Sequence, residues 1–228
     1  LERSFGGLKA VSAFDATIES GRITALIGPN GAGKTTAFNL ITGLIPPSGG
    51  TITFGERNIT GFPPYKIAAL GIARTFQNIK IFDNMTVLEN VMVGLHTRGV
   101  KGIFSAALRL PGFGGEERRI REEAIRHLDF VGLADMAELS AGSLAFGQQR
   151  KLEIARALAT EPKLLLLDEP AAGLNTQETL KLGELILSIR ERGISVFLVE
   201  HDMELVMSIS DMIYVLNNGI LISRGTPS

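Results

Sequence analysis

The sequence contains no cysteine. That excludes a disulfide framework, thiolate-ligated metal and a cysteine nucleophile, and it is compatible with a cytosolic setting. Neither sign of charge is in excess, with 23 Lys and Arg against 24 Asp and Glu. The basic surplus used to bind a phosphate backbone is missing, so nucleic acid is not an expected partner. No apolar run approaches the roughly 18 to 20 residues needed to span a bilayer. Leu1-Glu2-Arg3-Ser4-Phe5 has neither a signal-peptide pattern nor an initiator Met, and the chain is expected to begin a few residues into the natural protein. Fixed-period repeats, low-complexity stretches and long charge blocks are also lacking.

What is present is an ordinary soluble composition, 45% apolar and 21% charged, in 228 residues. That length buries a sizeable core and suits one large domain, or one domain with a subdomain. The early segment alternates like a strand around Ile18 and again from Ile23 to Ile27, then enters a glycine-rich turn. Helical spacing follows from Thr35 to Leu44, closed by Gly43 and Pro46-Pro47. Thr51 to Phe54 reads as a short strand, and Pro63-Pro64 opens a helix through Ile67 and Leu70.

Residues from about 87 to 160 read as mostly helical, with Ile120, Ala124, Leu128 and Val131 on one face and Leu152, Ala155 and Leu158 on another. Within them, His96 to Gly115 is irregular and moderately basic and looks like an insertion. Strand–helix alternation then returns. Leu164 to Leu167 and Val196 to Val199 are short apolar runs of the kind buried in parallel sheets. Leu182, Leu185, Ile186 and Ile189 mark a helix face between them, and Tyr214 to Ile222 reads as a hairpin turning at Asn217-Asn218-Gly219. The pattern predicts an α/β core with an inserted helical subdomain.

Gly28-Pro29-Asn30-Gly31-Ala32-Gly33-Lys34-Thr35 matches the phosphate-binding pattern G-x-x-x-x-G-K-[ST] in full, after a predicted strand and before a predicted helix. Glycines let consecutive backbone N–H groups converge on phosphate oxygens, and the following helix offers its N-terminus to an anion. Lys34 can reach the β- and γ-phosphates, and the Thr35 hydroxyl can ligate Mg²⁺. Downstream, Leu164 to Leu167 ends in Asp168-Glu169, an acidic pair at the edge where α/β sheets bind ligands. Asp168 is placed to hold Mg²⁺, and Glu169 to orient and deprotonate an attacking water. A lone Asp-Glu would be no more than a solvated turn; the complete cradle upstream favours the catalytic reading. Together the two motifs describe a P-loop NTPase.

Ser143-Leu144-Ala145-Phe146-Gly147-Gln148-Gln149 before the acidic pair, Gln77 after the cradle in Arg74-Thr75-Phe76-Gln77, and His201 in Glu200-His201-Asp202 narrow the class. In this order the motifs resemble the ABC ATPase family over essentially the whole chain. The resemblance implies one ABC ATPase domain over residues 1–228, with a P-loop core, an antiparallel β-subdomain and a helical subdomain inserted at about 87–160. It implies that Phe5 stacks on adenine with Val11 nearby, the alternative for Phe5 being a core position. Residues Gly28, Pro29, Asn30, Gly31, Ala32, Gly33, Lys34, Thr35 and Thr36 would hold ATP. The metal would take Thr35, Gln77 and Asp168, and catalysis would fall to Lys34, Gln77, Glu169 and His201. Leu144, Ala145, Phe146, Gly147 and Gln148 look like the signature that caps ATP on an opposing subunit.

Leu70 to Asn78, Asn84 to Asn90, Asp168 to Asn175, the stretch from His96 to Gly115 and the ending Gly225-Thr226-Pro227 are similar to the branched-chain amino-acid importer ATPases. That implies a second, non-identical ATPase, two transmembrane permease subunits, a substrate-binding protein, and a peripheral place on the cytoplasmic face of the membrane. Urea or lipopolysaccharide transport would change the cargo and keep the mechanism. A non-transport ABC ATPase would be expected to show coiled coils, zinc cysteines or two cassettes in one chain, and none is present. An Asn-Lys-x-Asp guanine-reading motif is likewise missing, which argues against a GTP-hydrolysing switch. Two positions depart from the general pattern: Ala145 stands where a signature Ser is usual, and Asn175 where an Asp is usual. Either they weaken the half-site lent to the partner, or the backbone N–H groups of the signature helix suffice without them.

Overall fold

The computed structural model describes residues 1–96 and 113–227. They fall into two compact units, Leu1–Gln77 with Lys163–Ser228, and Asn78–Pro162.

The first unit is built on segments whose apolar runs are too short for helices and too continuous for half-exposed strands. In chain order its elements are β1 (Arg3–Phe5), β2 (Leu8–Val11), β3 (Ile23–Ile27), α1 (Lys34–Ile41), β4 (Thr53–Phe54), β5 (Arg57–Asn58), α2 (Pro64–Ala69) and β6 (Ile72–Arg74). After the second unit come β7 (Leu164–Asp168), β8 (Ser195–Val199), β9 (Met212–Asn217) and β10 (Ile220–Gly225). Six strands form one sheet in the order β10-β9-β3-β8-β7-β6, parallel except for β10, while β1–β2 and β4–β5 make two small antiparallel ribbons. Every residue of β7 and β8 is buried, as expected of central parallel strands covered on both faces. Phe38 and Phe197 meet at 5.0 Å between ring centroids in the core.

Register brings the motifs to one edge of the sheet. Leu26 and Asp168 both pair with Val199, and Arg74 pairs with Leu166. The segments that leave β3, β7 and β8 therefore start side by side: the glycine-rich turn, Glu169 and Glu200-His201. This is the carboxyl edge at which open α/β sheets bind ligands.

The stretch around Ile18 is not a strand. Residues 14–19 alternate in burial, but the backbone N–H and C=O of Thr17 both bond the Tyr214 hydroxyl, each at 3.1 Å, and no ladder forms. Alternation followed one buried face, whereas a strand also needs a neighbour for its backbone groups.

The second unit holds α3 (Val87–His96), α4 (Phe113–Phe130) and α5 (Phe146–Leu158), with 3-10 turns at Ala134–Met136 and Ala141–Ser143. A reciprocal cap starts α3: Glu89 N–H donates to Thr86 Oγ1 at 3.1 Å, and Thr86 N–H to Glu89 Oε2 at 2.7 Å. Val87, Leu88 and Val91 of α3, Ala124 and Leu128 of α4, and Leu152, Ile154 and Ala155 of α5 are buried. Inside the unit Arg150 pairs with Glu153 at 3.0 Å, both side chains fully enclosed, and Glu153 Oε1 accepts from Lys80 N–H at 3.3 Å. Arg156 donates to the Lys80 carbonyl; burial lowers its pKa and the neighbouring Glu153 carboxylate opposes that shift. The irregular stretch read from His96 to Gly115 lies, over 97–112, outside the described residues, whereas Phe113 to Gly115 belong to α4. Among the described residues no helix is long and apolar enough to cross a membrane.

Candidate active site

The turn between β3 and α1 is shaped by close approaches that only glycine permits. At Gly28 (φ +152°) a Cβ would lie 2.0 Å from the Leu216 carbonyl oxygen, and at Gly33 (φ +105°) it would lie 2.4 Å from that of Ala10. A second support was not read from the sequence. Gly219, in the tight turn between β9 and β10, donates its N–H to the Ala32 carbonyl at 2.8 Å and accepts from Ser12 N–H at 2.7 Å. The hairpin thus buttresses the glycine-rich turn from below.

Gly33 caps α1 without any side-chain bond, and the first helical bond runs from Ala37 N–H to Gly33 O at 2.9 Å. The N–H groups of Lys34, Thr35 and Thr36 precede it and have no intrahelical acceptor, so they face the cradle with the positive end of the helix dipole. Lys34 folds back over the turn and donates from Nζ to the carbonyls of Gly28 at 2.6 Å and Pro29 at 3.1 Å. Its buried ammonium is held by acceptors that a phosphate oxygen can replace.

Glu169 follows β7 in the left-handed region, at φ +48°, with its N–H bonded to Val199 O at 2.9 Å. A non-glycine residue there carries strain of order 1–3 kcal/mol, which the surroundings must hold. Gln77 Nε2 donates to Glu169 Oε2 at 2.8 Å, and His201 Nδ1 stands 3.9 Å from the same oxygen. The His201 side chain is 62% exposed. The cradle lysine, the acidic pair, Gln77 and His201 therefore all belong to the sheet's carboxyl edge.

The remaining positions fall as follows. Phe5 is 46% exposed with the Arg3 guanidinium 4.7 Å from its ring centroid, so it is not a core residue. Val11 is 1% exposed and packs under the turn near the Gly33 backbone; it forms a floor and offers a nucleotide almost no surface. The cause is its place at the end of β2, turned into the core cluster. Asp168 is buried and paired with Arg74, Nη2 to Oδ2 at 2.6 Å. Thr35 and Asp168 are hard oxygen donors of the type that hold Mg²⁺ beside phosphates.

Two residues that sequence reasoning passed over join the set. One is Arg74. The other is Glu200, fully buried, whose Oε1 accepts from Ala171 N–H at 2.7 Å and whose Oε2 accepts from the N–H groups of His201 at 3.0 Å and Asp202 at 3.3 Å. One carboxylate ties the loop after Glu169 to the loop that carries His201. Its position immediately before His201 was the available signal.

In the second unit, Ala145 is the N-cap of α5. Its N–H donates to Gln148 Oε1 at 3.0 Å, and Ala145 returns no side-chain bond because it has no acceptor. In the first unit, Asn175 caps α6 (Thr176–Glu191) reciprocally: Oδ1 accepts from Glu178 N–H, and Asn175 N–H donates to Glu178 Oε2, each at 3.0 Å.

Comparison with known proteins agrees with this architecture. Residues 11–172 match the ABC transporter family. The chain is 48% identical over 224 residues to the high-affinity branched-chain amino acid transport ATP-binding protein LivG of Salmonella typhimurium, covering 98% of this chain and 88% of that protein. It is 47% identical over 228 residues to the corresponding protein BraF of Pseudomonas aeruginosa, covering 100% and 89%. Among solved structures, a nucleotide-free ATP-binding cassette from an ABC transporter aligns with a TM-score of 0.86 at 33% identity, over 100% of this chain and 89% of that one. A cassette in its ADP conformation aligns with a TM-score of 0.86 at 34% identity, over 99% and 88%. By its match over residues 11–172 and its near full-length identity to these relatives, the chain belongs to the ABC transporter family as one of its ATP-binding cassettes.

Proposed function

We propose that the chain binds and hydrolyses ATP to energise uptake of branched-chain amino acids across the cytoplasmic membrane. The observation that carries the chemistry is Glu169: a strained carboxylate at a strand end, held by Gln77 and close to His201, beside a cradle that contains a docked lysine. The identity to LivG and BraF over nearly the whole chain supports the cargo.

In this reading the N–H groups at the start of α1 and Lys34 bind the β- and γ-phosphates, and Phe5 offers its exposed ring to the base. Thr35, Gln77 and Asp168 would hold Mg²⁺, which would supply charge neutralisation at the transferring phosphoryl group. Glu169 accepts a proton from the attacking water, Gln77 orients Glu169 and that water, and His201 donates a hydrogen bond to the γ-phosphate. Leu144 to Gln148 present the start of α5 to nucleotide on a second, non-identical ATPase. Two permease subunits and a substrate-binding protein complete the importer, and this subunit is peripheral on the cytoplasmic face.

Steady-state hydrolysis of Mg-ATP by the purified chain tests the chemistry. Glu169→Gln should lower turnover by roughly 10²- to 10⁴-fold with ATP binding retained, and Lys34→Ala should lose both. Turnover that survives Glu169→Gln would sink the assignment of the base. Cargo is tested in vesicles that contain the complete importer: labelled leucine should accumulate with ATP, and labelled urea should not.

A further inference from the structure

Arg74 is the charged group of this site that the ATPase reading leaves without a task. It ends β6, the edge strand of the sheet, and its side chain is 7% exposed. Nη2 donates to Asp168 Oδ2 at 2.6 Å, while Nη1 donates to Asn39 Oδ1 at 2.7 Å and to Thr42 Oγ1 at 3.3 Å. Nε is buried without a partner. The guanidinium carbon lies 5.4 Å from the Phe38 ring centroid and 5.1 Å from that of Phe76. A cation is thus walled between two rings and forked across α1 and β7. Burying it is costly unless it is paired, and its counter-charge is the carboxylate that the ATPase reading gives to the metal. The other oxygen, Asp168 Oδ1, takes no hydrogen bond among the described residues.

We infer that Arg74 is a positioning residue: it fixes Asp168 by one oxygen, leaves the other unbonded and cancels its charge, so the cradle accepts the triphosphate before the divalent cation arrives. The inference rests on the reading of the cradle as the ATP site. A metal-free triphosphate is strongly anionic, and a bare buried carboxylate beside it repels strongly in a low-dielectric setting. A nucleotide that already carries Mg²⁺ would feel this less, because the bound cation offsets part of its charge. Arg74 therefore matters more for metal-free than for metal-loaded nucleotide.

The test is equilibrium binding of a fluorescent ATP analogue to the purified chain, once in EDTA and once in saturating Mg²⁺. Arg74→Met should weaken binding roughly tenfold or more in EDTA and only about threefold in Mg²⁺, and Arg74→Lys should fall between it and the parent. Adding Asp168→Asn to Arg74→Met should restore binding in EDTA, because the repelling charge is gone. Asp168→Asn alone should tighten binding in EDTA, because Arg74 then faces the phosphates unpaired; this arm holds even where Arg74→Met fails to fold. Equal losses in both conditions, no recovery in the double variant, or no tightening with Asp168→Asn would overturn the proposal while leaving the ATP site standing. A parent chain that binds nucleotide in neither condition would overturn the site reading and this proposal with it.

Discussion

Gln77 donates from Nε2 to Glu169 Oε2 at 2.8 Å, linking the segment that follows the edge strand β6 to the carboxylate that follows the central strand β7. Within the proposed mechanism, a base held by a side chain on another loop acts only when both loops are in place. Gln77→Ala should therefore lower ATP turnover by about tenfold, the scale of a lost orienting contact, with little change in ATP affinity. Gln77→Glu should be worse, because a second carboxylate beside Glu169 repels it. Single-turnover hydrolysis at saturating ATP measures the step directly; an unchanged rate with Gln77→Ala would remove Gln77 from it.

Glu200 offers a second handle. Its two oxygens accept from Ala171, His201 and Asp202, so Glu200→Gln keeps one acceptor oxygen and turns a donor toward N–H groups. Leaving a buried backbone N–H unpaired costs about 1–3 kcal/mol. The variant should unfold at lower denaturant and lose turnover more than nucleotide affinity, since the loops it ties carry Glu169 and His201 and its bonds go to Ala171, His201 and Asp202 rather than to the glycine-rich turn. Denaturant titration and a separate measurement of ATP affinity would show both effects; equal loss of affinity and turnover would mean that Glu200 supports the whole edge.

The glycine-rich turn predicts a contrast between two glycines. Gly33 has φ +105° and a carbonyl 2.4 Å from where a Cβ would lie, whereas Gly21, at φ +69°, has nothing within 4 Å. Gly33→Ala should abolish ATP binding, because the turn must open to admit the methyl group. Gly21→Asn should bind ATP as the parent does, since Asn tolerates the left-handed region at little cost. Nucleotide titration of the two variants checks this, and normal binding by Gly33→Ala would show that the turn yields more easily than its contacts suggest.

Much of this site is legible in the sequence, for a physical reason. The phosphate cradle is local: its glycines, lysine and helix start lie within nine residues, Gly28 to Thr36. Gln77, Asp168-Glu169 and His201 are distant in sequence, but each lies at or just beyond the end of a strand of the same sheet and keeps a recognisable neighbourhood. Arg74 and Glu200 were not legible, because their roles depend on which strands lie side by side. Arg74 meets Asp168 only because β6 pairs with β7, and Glu200 meets Ala171 only because β8 does. The family resemblance sets Val11 near the nucleotide beside Phe5, yet the end of β2 turns it under the loop. The stretch at Ile18 shows the opposite fault, where a half-buried extended segment imitates a strand and Tyr214 takes the backbone bonds a neighbour would have made.

The departures at 145 and 175 now separate. Asn175 caps α6 with its side-chain oxygen, a task that Asp performs equally well. Asn175→Asp should leave stability unchanged, and Asn175→Ala should cost about 1 kcal/mol in a denaturant titration. Ala145 caps α5 with no side-chain acceptor, so Ala145→Ser adds a bond that the helix start lacks and should stabilise the chain by roughly 0.5–2 kcal/mol. The same hydroxyl would face the nucleotide of an opposing subunit. In a mixed dimer with each site read separately, Ala145→Ser should raise hydrolysis in the partner's site and leave this chain's own site unchanged. A gain in stability with no change at either site would mean that the backbone N–H groups at the start of α5 already suffice for the partner's phosphate.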